Sequence, residues 1–138
     1  MELKEQRFGI EIEMTGITRA EAARVTAAYF GTESSYIGTY YETYAALDGQ
    51  GRQWKFMSDS SIDTERKSGN QRVWADSDYS TEMVSPICRY EDIKAIQEII
   101  RELKKHGAIT NKSCGIHMHV DASPFHARTL RNITNIMA

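Results

Sequence analysis

Apolar and polar residues alternate strictly near the start of the chain. Phe8, Ile10, Ile12 and Met14 interleave with Gly9, Glu11 and Glu13, the period of two that gives a β-strand one apolar and one polar face. The same period returns where Ile116, Met118 and Val120 alternate with His117, His119 and Asp121. Helical signals lie between these strands. Thr18 and Glu21 have capping-box spacing, an alanine-rich run reaches Phe30, and Gly31 suits a helix C-terminus. Ile93, Ile96, Ile100 and Leu103 recur at helical intervals within residues 91–106. Lys104, Lys105 and His106 there suit the negative end of the dipole, and Gly107 is the stop.

Residues 36–47 and 52–57 read as two antiparallel strands around the loop Asp48-Gly49-Gln50-Gly51. The polar segment 64–69 reads as a surface loop, followed by a short strand near Val73 and Trp74. A further strand over 80–85 is stopped by Pro86. Ser123-Pro124 opens a last helix toward Ala138, with Phe125, Leu130, Ile133 and Met137 at helical spacing. No repeat or low-complexity block interrupts this order, which predicts one α+β unit.

Composition narrows the function classes. A length of 138 residues fits one domain. Seventeen Lys and Arg against nineteen Asp and Glu, with no long basic run, disfavour nucleic acid as a partner. No stretch approaches the ~20 apolar residues of a membrane span. Residues 1–7 are charged with no apolar signal region after them, so the expected location is cytoplasmic. Cys88 and Cys114 lack metal or redox spacing and read as reduced thiols.

Candidate chemistry lies on the polar faces of the two alternating strands. Residues two apart on a strand share a side about 6–7 Å apart, so Glu11 and Glu13 can act together, as can His117 and His119. Taken singly, each feature has an ordinary account. An acidic pair suits a solvated strand face, Asp59 and Ser61 suit a turn, and Glu82 suits an exposed strand position. Together they would bring Glu11, Glu13, Asp59, Glu82 and one or two histidines to one surface. Crowded carboxylates raise one another's pKa, and divalent cations are the usual remedy. An oxygen-rich set with one imidazole suits Mg²⁺ or Mn²⁺ better than Zn²⁺. Such sites commonly hold phosphates, which makes ATP the expected cosubstrate.

The blocks Phe8-Gly9-Ile10-Glu11-Ile12-Glu13, Trp54 with Asp59 and Ser61, Glu82-Met83-Val84-Ser85-Pro86 and Cys114-Gly115-Ile116-His117-Met118-His119-Val120-Asp121 resemble, in order, those of the amidoligase family. That family is similar to glutamine synthetase and glutamate-cysteine ligase, and the Gly-Ile-His-Met-His segment resembles one in glutamine synthetase. The resemblance implies a curved antiparallel sheet with helices packed on one face, and two or three Mg²⁺ ions between ATP and an acidic substrate. It implies phosphoryl transfer to a carboxylate and amine attack on the acyl phosphate. On it, Glu11, Glu13, Asp59, Glu82 and His117 are metal ligands. His119 and Ser61 are placed at the nucleotide, and Glu11, Glu13, Glu82 and His119 in the catalytic set. Asp121 is expected to shape its strand end, Ser85 and Pro86 the strand exit, and Trp54 the core.

The sequence departs from the pattern at Ser60, where the family usually has glycine. Family members also continue into a second half with further basic residues, so residues 1–138 are expected to be the N-terminal part of one catalytic domain with weak or no turnover. The carboxylate and amine stay open, a peptide or cell-wall fragment among them, and a homo-oligomer could complete the site. Two other readings remain: a metal-dependent amidohydrolase, whose HxH strand would bind zinc, and a non-catalytic metal-binding or interaction fragment.

Overall fold

The computed structural model describes residues 5–120. Eight strands and two helices follow the chain order β1 (Phe8–Met14), α1 (Arg19–Phe30), β2 (Ser34–Gly38), β3 (Thr43–Leu47), β4 (Gln53–Met57), β5 (Glu65–Ser68), β6 (Gln71–Trp74), β7 (Thr81–Val84), α2 (Ile93–Lys105) and β8 (Ile116–Val120). Six strands form one antiparallel sheet in the order β2-β3-β4-β7-β1-β8, and β5 and β6 form a separate ribbon. The α+β class and the antiparallel sheet agree with the sequence reading. The final helix over 123–138 and Asp121 lie outside the described residues.

The apolar half of each alternation faces the helices. Phe8, Ile10 and Ile12 of β1, Trp54 and Phe56 of β4 and Met83 of β7 are buried in one cluster with Ala22, Ala23 and Val25 of α1 and Ile96, Ile99, Ile100 and Leu103 of α2. Helix α1 lies against β2, β3, β4 and β7, and α2 packs on α1. Each fully buried large side chain contributes about 1.5–3 kcal/mol. With both helices on one face, the other face of the sheet is left to polar side chains.

Local signals fix the helix ends. The Thr18 hydroxyl accepts the Glu21 N–H at 3.2 Å, but the Glu21 carboxylate turns to Arg24 instead of completing the box. Gly31 closes α1 at φ 72°, a left-handed conformation that glycine adopts without strain. Residues 90–92 form a 3₁₀ turn ahead of α2, so the helix starts two residues later than its periodicity suggests.

Two expectations are corrected. Residues 36–47 are not one strand. The chain turns between β2 and β3, where Gly38, Thr39 and Glu42 have φ of 78°, 66° and 48°. The buried Arg19 guanidinium holds this turn through the Glu42 carbonyl at 3.1 Å and its carboxylate at 3.0 Å. The segment 64–69 is not a loop but strand β5. Its backbone is captured by the end of β1: the Gly16 N–H donates to the Glu65 carbonyl at 2.8 Å, and the Glu65 N–H to the buried Thr15 hydroxyl at 2.9 Å. Both faces of the ribbon are largely polar, with Lys67 opposite Arg72, so no alternation marked it.

The loop between β3 and β4 forms as expected and is tied down by charge. Asp48 accepts from the backbone N–H of Gln50 and Arg52, the Arg52 guanidinium and the Trp54 indole. Arg52 also grips Asp92 with two bonds of 3.1 and 2.9 Å. Burial alone would raise both carboxyls. The Trp54 and backbone donors at Asp48, and Arg52 at Asp92, outweigh burial and hold both below the ordinary 3.8. A depressed carboxyl contributes stability above its unfolded pKa and loses it as pH falls through the folded value. Denaturant titrations should therefore show stability dropping below about pH 4. Arg52→Ala should cost about 3 kcal/mol at neutral pH and flatten that slope.

Candidate functional site

The polar face of the sheet is built from the other half of each alternation. Glu11 and Glu13 point there from β1. Antiparallel pairing sets Glu13 beside Glu82 of β7, and Glu11 beside His117 of β8. Glu82 is in register with Met57 on its other side. His119 pairs with Gly9, which has no side chain, and its ring leans to Glu11. Its Nε2 is 3.5 Å from the Glu11 carboxylate, and the His117 Nδ1 is 3.8 Å from the same oxygen.

Asp59 reaches the face from the loop after β4. The buried Ser80 hydroxyl holds that loop, accepting the Asp59 N–H at 2.8 Å and donating to the Asp59 carbonyl at 2.7 Å. Asp59 in turn accepts from the Ser61 N–H and hydroxyl at 2.9 and 2.7 Å, and that hydroxyl also lies 3.4 Å from the Glu13 carboxylate. Ser60 stands where the resembling family usually has glycine. Among the described residues only Thr39 and Glu42 are non-glycine positions with positive φ, so serine meets the turn's backbone needs.

The sheet therefore brings Glu11, Glu13, Asp59, Ser61, Glu82, His117 and His119 to one face. Glu13 is the most enclosed, 6% exposed, and accepts the Gly115 N–H at 2.7 Å. A Cβ on Gly115 would stand 3.2 Å from that oxygen, so glycine permits the close approach.

Three features went unread in the sequence. Gly115 and Gly9 act through missing side chains, which strand periodicity does not register. Lys55 alternates with the buried Trp54 and Phe56 and so shares the acidic face, in register with Val84. It was legible from that alternation as the one basic position on this strand.

The electrostatics show strain among like charges. Burial, then the Glu11, Asp59 and Glu13 carboxylates, push Glu82 up to about 7, with His117 opposing. Burial and the Asp59 carboxylate raise Glu13 against the Gly115 N–H, while the bond with Glu13 holds Asp59 low. The contact between the two carboxyls thus splits them, Glu13 to the high side and Asp59 to the low side of the ordinary carboxylate range. A raised acid binds its proton more tightly when folded, so its contribution is full below about 4.5 and is lost as pH rises toward 7. Without divalent cations the protein should lose stability across that interval, and Glu82→Gln should flatten the slope in denaturant titrations.

Among the described residues, no three His, Cys, Asp or Glu side chains are arranged so that together they could hold a metal ion. Glu13 is turned to Gly115 and Ser61, and Glu11 to the histidines. The donor types, four carboxylates and an imidazole, are those a hard cation takes, although the side chains are not gathered around a common point. Cys88 and Cys114 are free thiols. No helix among the described residues is long and apolar enough to cross a membrane.

Compared with known proteins, the chain matches over residues 4–138 a family model described as "Putative amidoligase enzyme". No curated protein and no solved structure matches it.

Proposed function

The chain belongs to the amidoligase family, and on that premise we propose that its acidic sheet face is the metal- and nucleotide-binding part of an ATP- and Mg²⁺-dependent carboxylate-amine ligase. The observation that carries this reading is the crowding of Glu11, Glu13, Asp59 and Glu82 on one face, with Glu82 pushed up to about 7 by burial and its neighbours' charge. A solvated strand face would spread its charges apart or pair them with cations. Here the acidic groups are gathered against burial and their mutual repulsion, which together raise Glu82.

Glu11, Glu13, Asp59, Glu82 and His117 would hold the cations. Bound there, Mg²⁺ or Mn²⁺ would neutralise the ATP phosphates and the charge that develops in phosphoryl transfer. On this reading His119 would donate a hydrogen bond to the nucleotide, Ser61 would do so by turning its hydroxyl away from Asp59, and Lys55 would add positive charge for a phosphate or the substrate carboxylate. The γ-phosphoryl group passes to that carboxylate with release of ADP. An amine then attacks the acyl carbon, inorganic phosphate leaves, and an amide remains. The sheet's part is to keep the carboxylates fixed, through Gly115 at Glu13 and Ser80 at Asp59.

Hydroxylamine offered as the amine, with glutamate and glutamyl peptides as carboxylates, tests the reaction. The account expects a hydroxamate formed only with ATP and Mg²⁺, one ADP for each, and none from a Glu11→Gln, His117→Ala double variant. Zinc-dependent amide hydrolysis without ATP would replace this reading with that of an amidohydrolase.

A further inference from the structure

The edge of the sheet away from β8 gathers aromatic surface that the ligase reading does not use. Tyr36 of β2 is 58% exposed, and Tyr40 and Tyr41 in the next turn are 94% and 48% exposed. Behind them a cavity of about 260 Å³ opens between this hairpin and the start of α1. Tyr36 and Tyr44 form one corner, their ring centroids 4.9 Å apart and their planes at 60°. Glu42 and Asp78 complete its lining beside Thr18 and Arg19. Tyr44 is in register with the core residue Phe56, which places the cavity on the helix side of the sheet, opposite Glu11 and Glu13.

The charges around this cavity leave it acidic. The Arg19 guanidinium is 4% exposed, and its donors are occupied by the carbonyls of Glu42, Ser77 and Ser80 and by the Glu42 carboxylate. Asp78 lies 3.7 Å from it, with a side chain 69% exposed. One inward-facing cation thus stands against two carboxylates open to the cavity. Aromatic faces and carboxylates attract the same ligand class, an organic cation, by the ring quadrupole and by direct charge. The hairpin supplies the rings, and the turns at Glu42 and Asp78 supply the charge.

We propose that this cavity recognises the ammonium or guanidinium group of a basic side chain on a peptide segment. Among the described residues β2 is an edge strand, so an extended segment can lie alongside it while its side chain enters the cavity against the paired rings of Tyr36 and Tyr44. The site is separate from the acidic sheet face and does not depend on the ligase reading.

Nuclear magnetic resonance titration with acetyl-Gly-Lys-Gly-amide tests this, with the norleucine peptide as a neutral control of nearly the same shape. The lysine peptide should bind at least fivefold tighter, about 1 kcal/mol, within the range of an exposed cation–π contact joined by a carboxylate. Its shifts should centre on Tyr36 and Tyr44. Asp78→Asn and Tyr36→Leu, both at exposed positions, should each reduce affinity at least threefold while the melting temperature stays unchanged. Glu13→Gln should leave this binding intact. Equal affinity for the two peptides, no binding up to about 10 mM, or unaltered binding in Asp78→Asn would overturn the proposal. n-Butylamine binding as tightly as the peptide would assign the cavity to a free small amine and overturn its assignment to a peptide side chain.

Discussion

Glu13→Gln is expected to stabilise the protein in the absence of divalent cations, by about 1 kcal/mol, and to weaken its affinity for them at least ~100-fold. The opposite signs come from one geometry. Glu13 is 6% exposed, is raised by burial and by the Asp59 carboxylate, and has Glu82 beside it in register. A glutamine amide keeps the acceptor for the Gly115 N–H and gives Asp59 a permanent donor, so the fold loses a repulsion and no hydrogen bond. The same change removes an anionic oxygen that a cation would need. A residue selected for packing shows no such exchange, because its replacement lowers stability. Thermal melts in EDTA and in Mg²⁺, compared between Glu13→Gln and the parent, measure both halves at once.

Trp54→Ala should have the largest effect on stability, about 3–5 kcal/mol. The ring is fully buried, packs 5.6 Å from the Phe30 ring, and donates its indole N–H to Asp48 at 3.0 Å. Truncation opens a cavity between α1 and the sheet and removes a donor from a buried carboxylate that also serves Arg52. Trp54→Phe keeps most of the volume and loses only the bond, so about 1–2 kcal/mol is expected. Denaturant midpoints of the two variants separate packing from hydrogen bonding. Lys55 and Met57 share this strand, so the larger loss should also disturb the acidic face.

What the sequence disclosed follows from how each element is stabilised. β1, β4 and β7 bury one face and β8 partly covers one, and burial on one face writes a period of two into the residue types. Five of the seven residues named for the site come together because the same alternation that buries Ile10, Ile12 and Met83 must turn Glu11, Glu13, Glu82, His117 and His119 the other way, whereas Asp59 and Ser61 join them from a loop held by Ser80. The β5–β6 ribbon carries no such record. It is held largely through the Glu65 backbone, whose carbonyl accepts the Gly16 N–H and whose N–H donates to the Thr15 hydroxyl, bonds that leave no period in the residue types. The break between β2 and β3 escaped because Thr39 and Glu42 take left-handed conformations that their residue types do not advertise, held by a distant Arg19. Gly115 shows a third limit, since its value lies in how closely Glu13 can approach.

The central claim is that the acidic sheet face binds divalent cations for a nucleotide. Calorimetric titration of ATP into the protein, with Mg²⁺ and then in EDTA, bears on it most directly. The account predicts ATP binding that requires Mg²⁺ and is lost in Glu13→Gln although that variant is fully folded. ATP binding of equal strength in EDTA, or in Glu13→Gln with Mg²⁺, would contradict it.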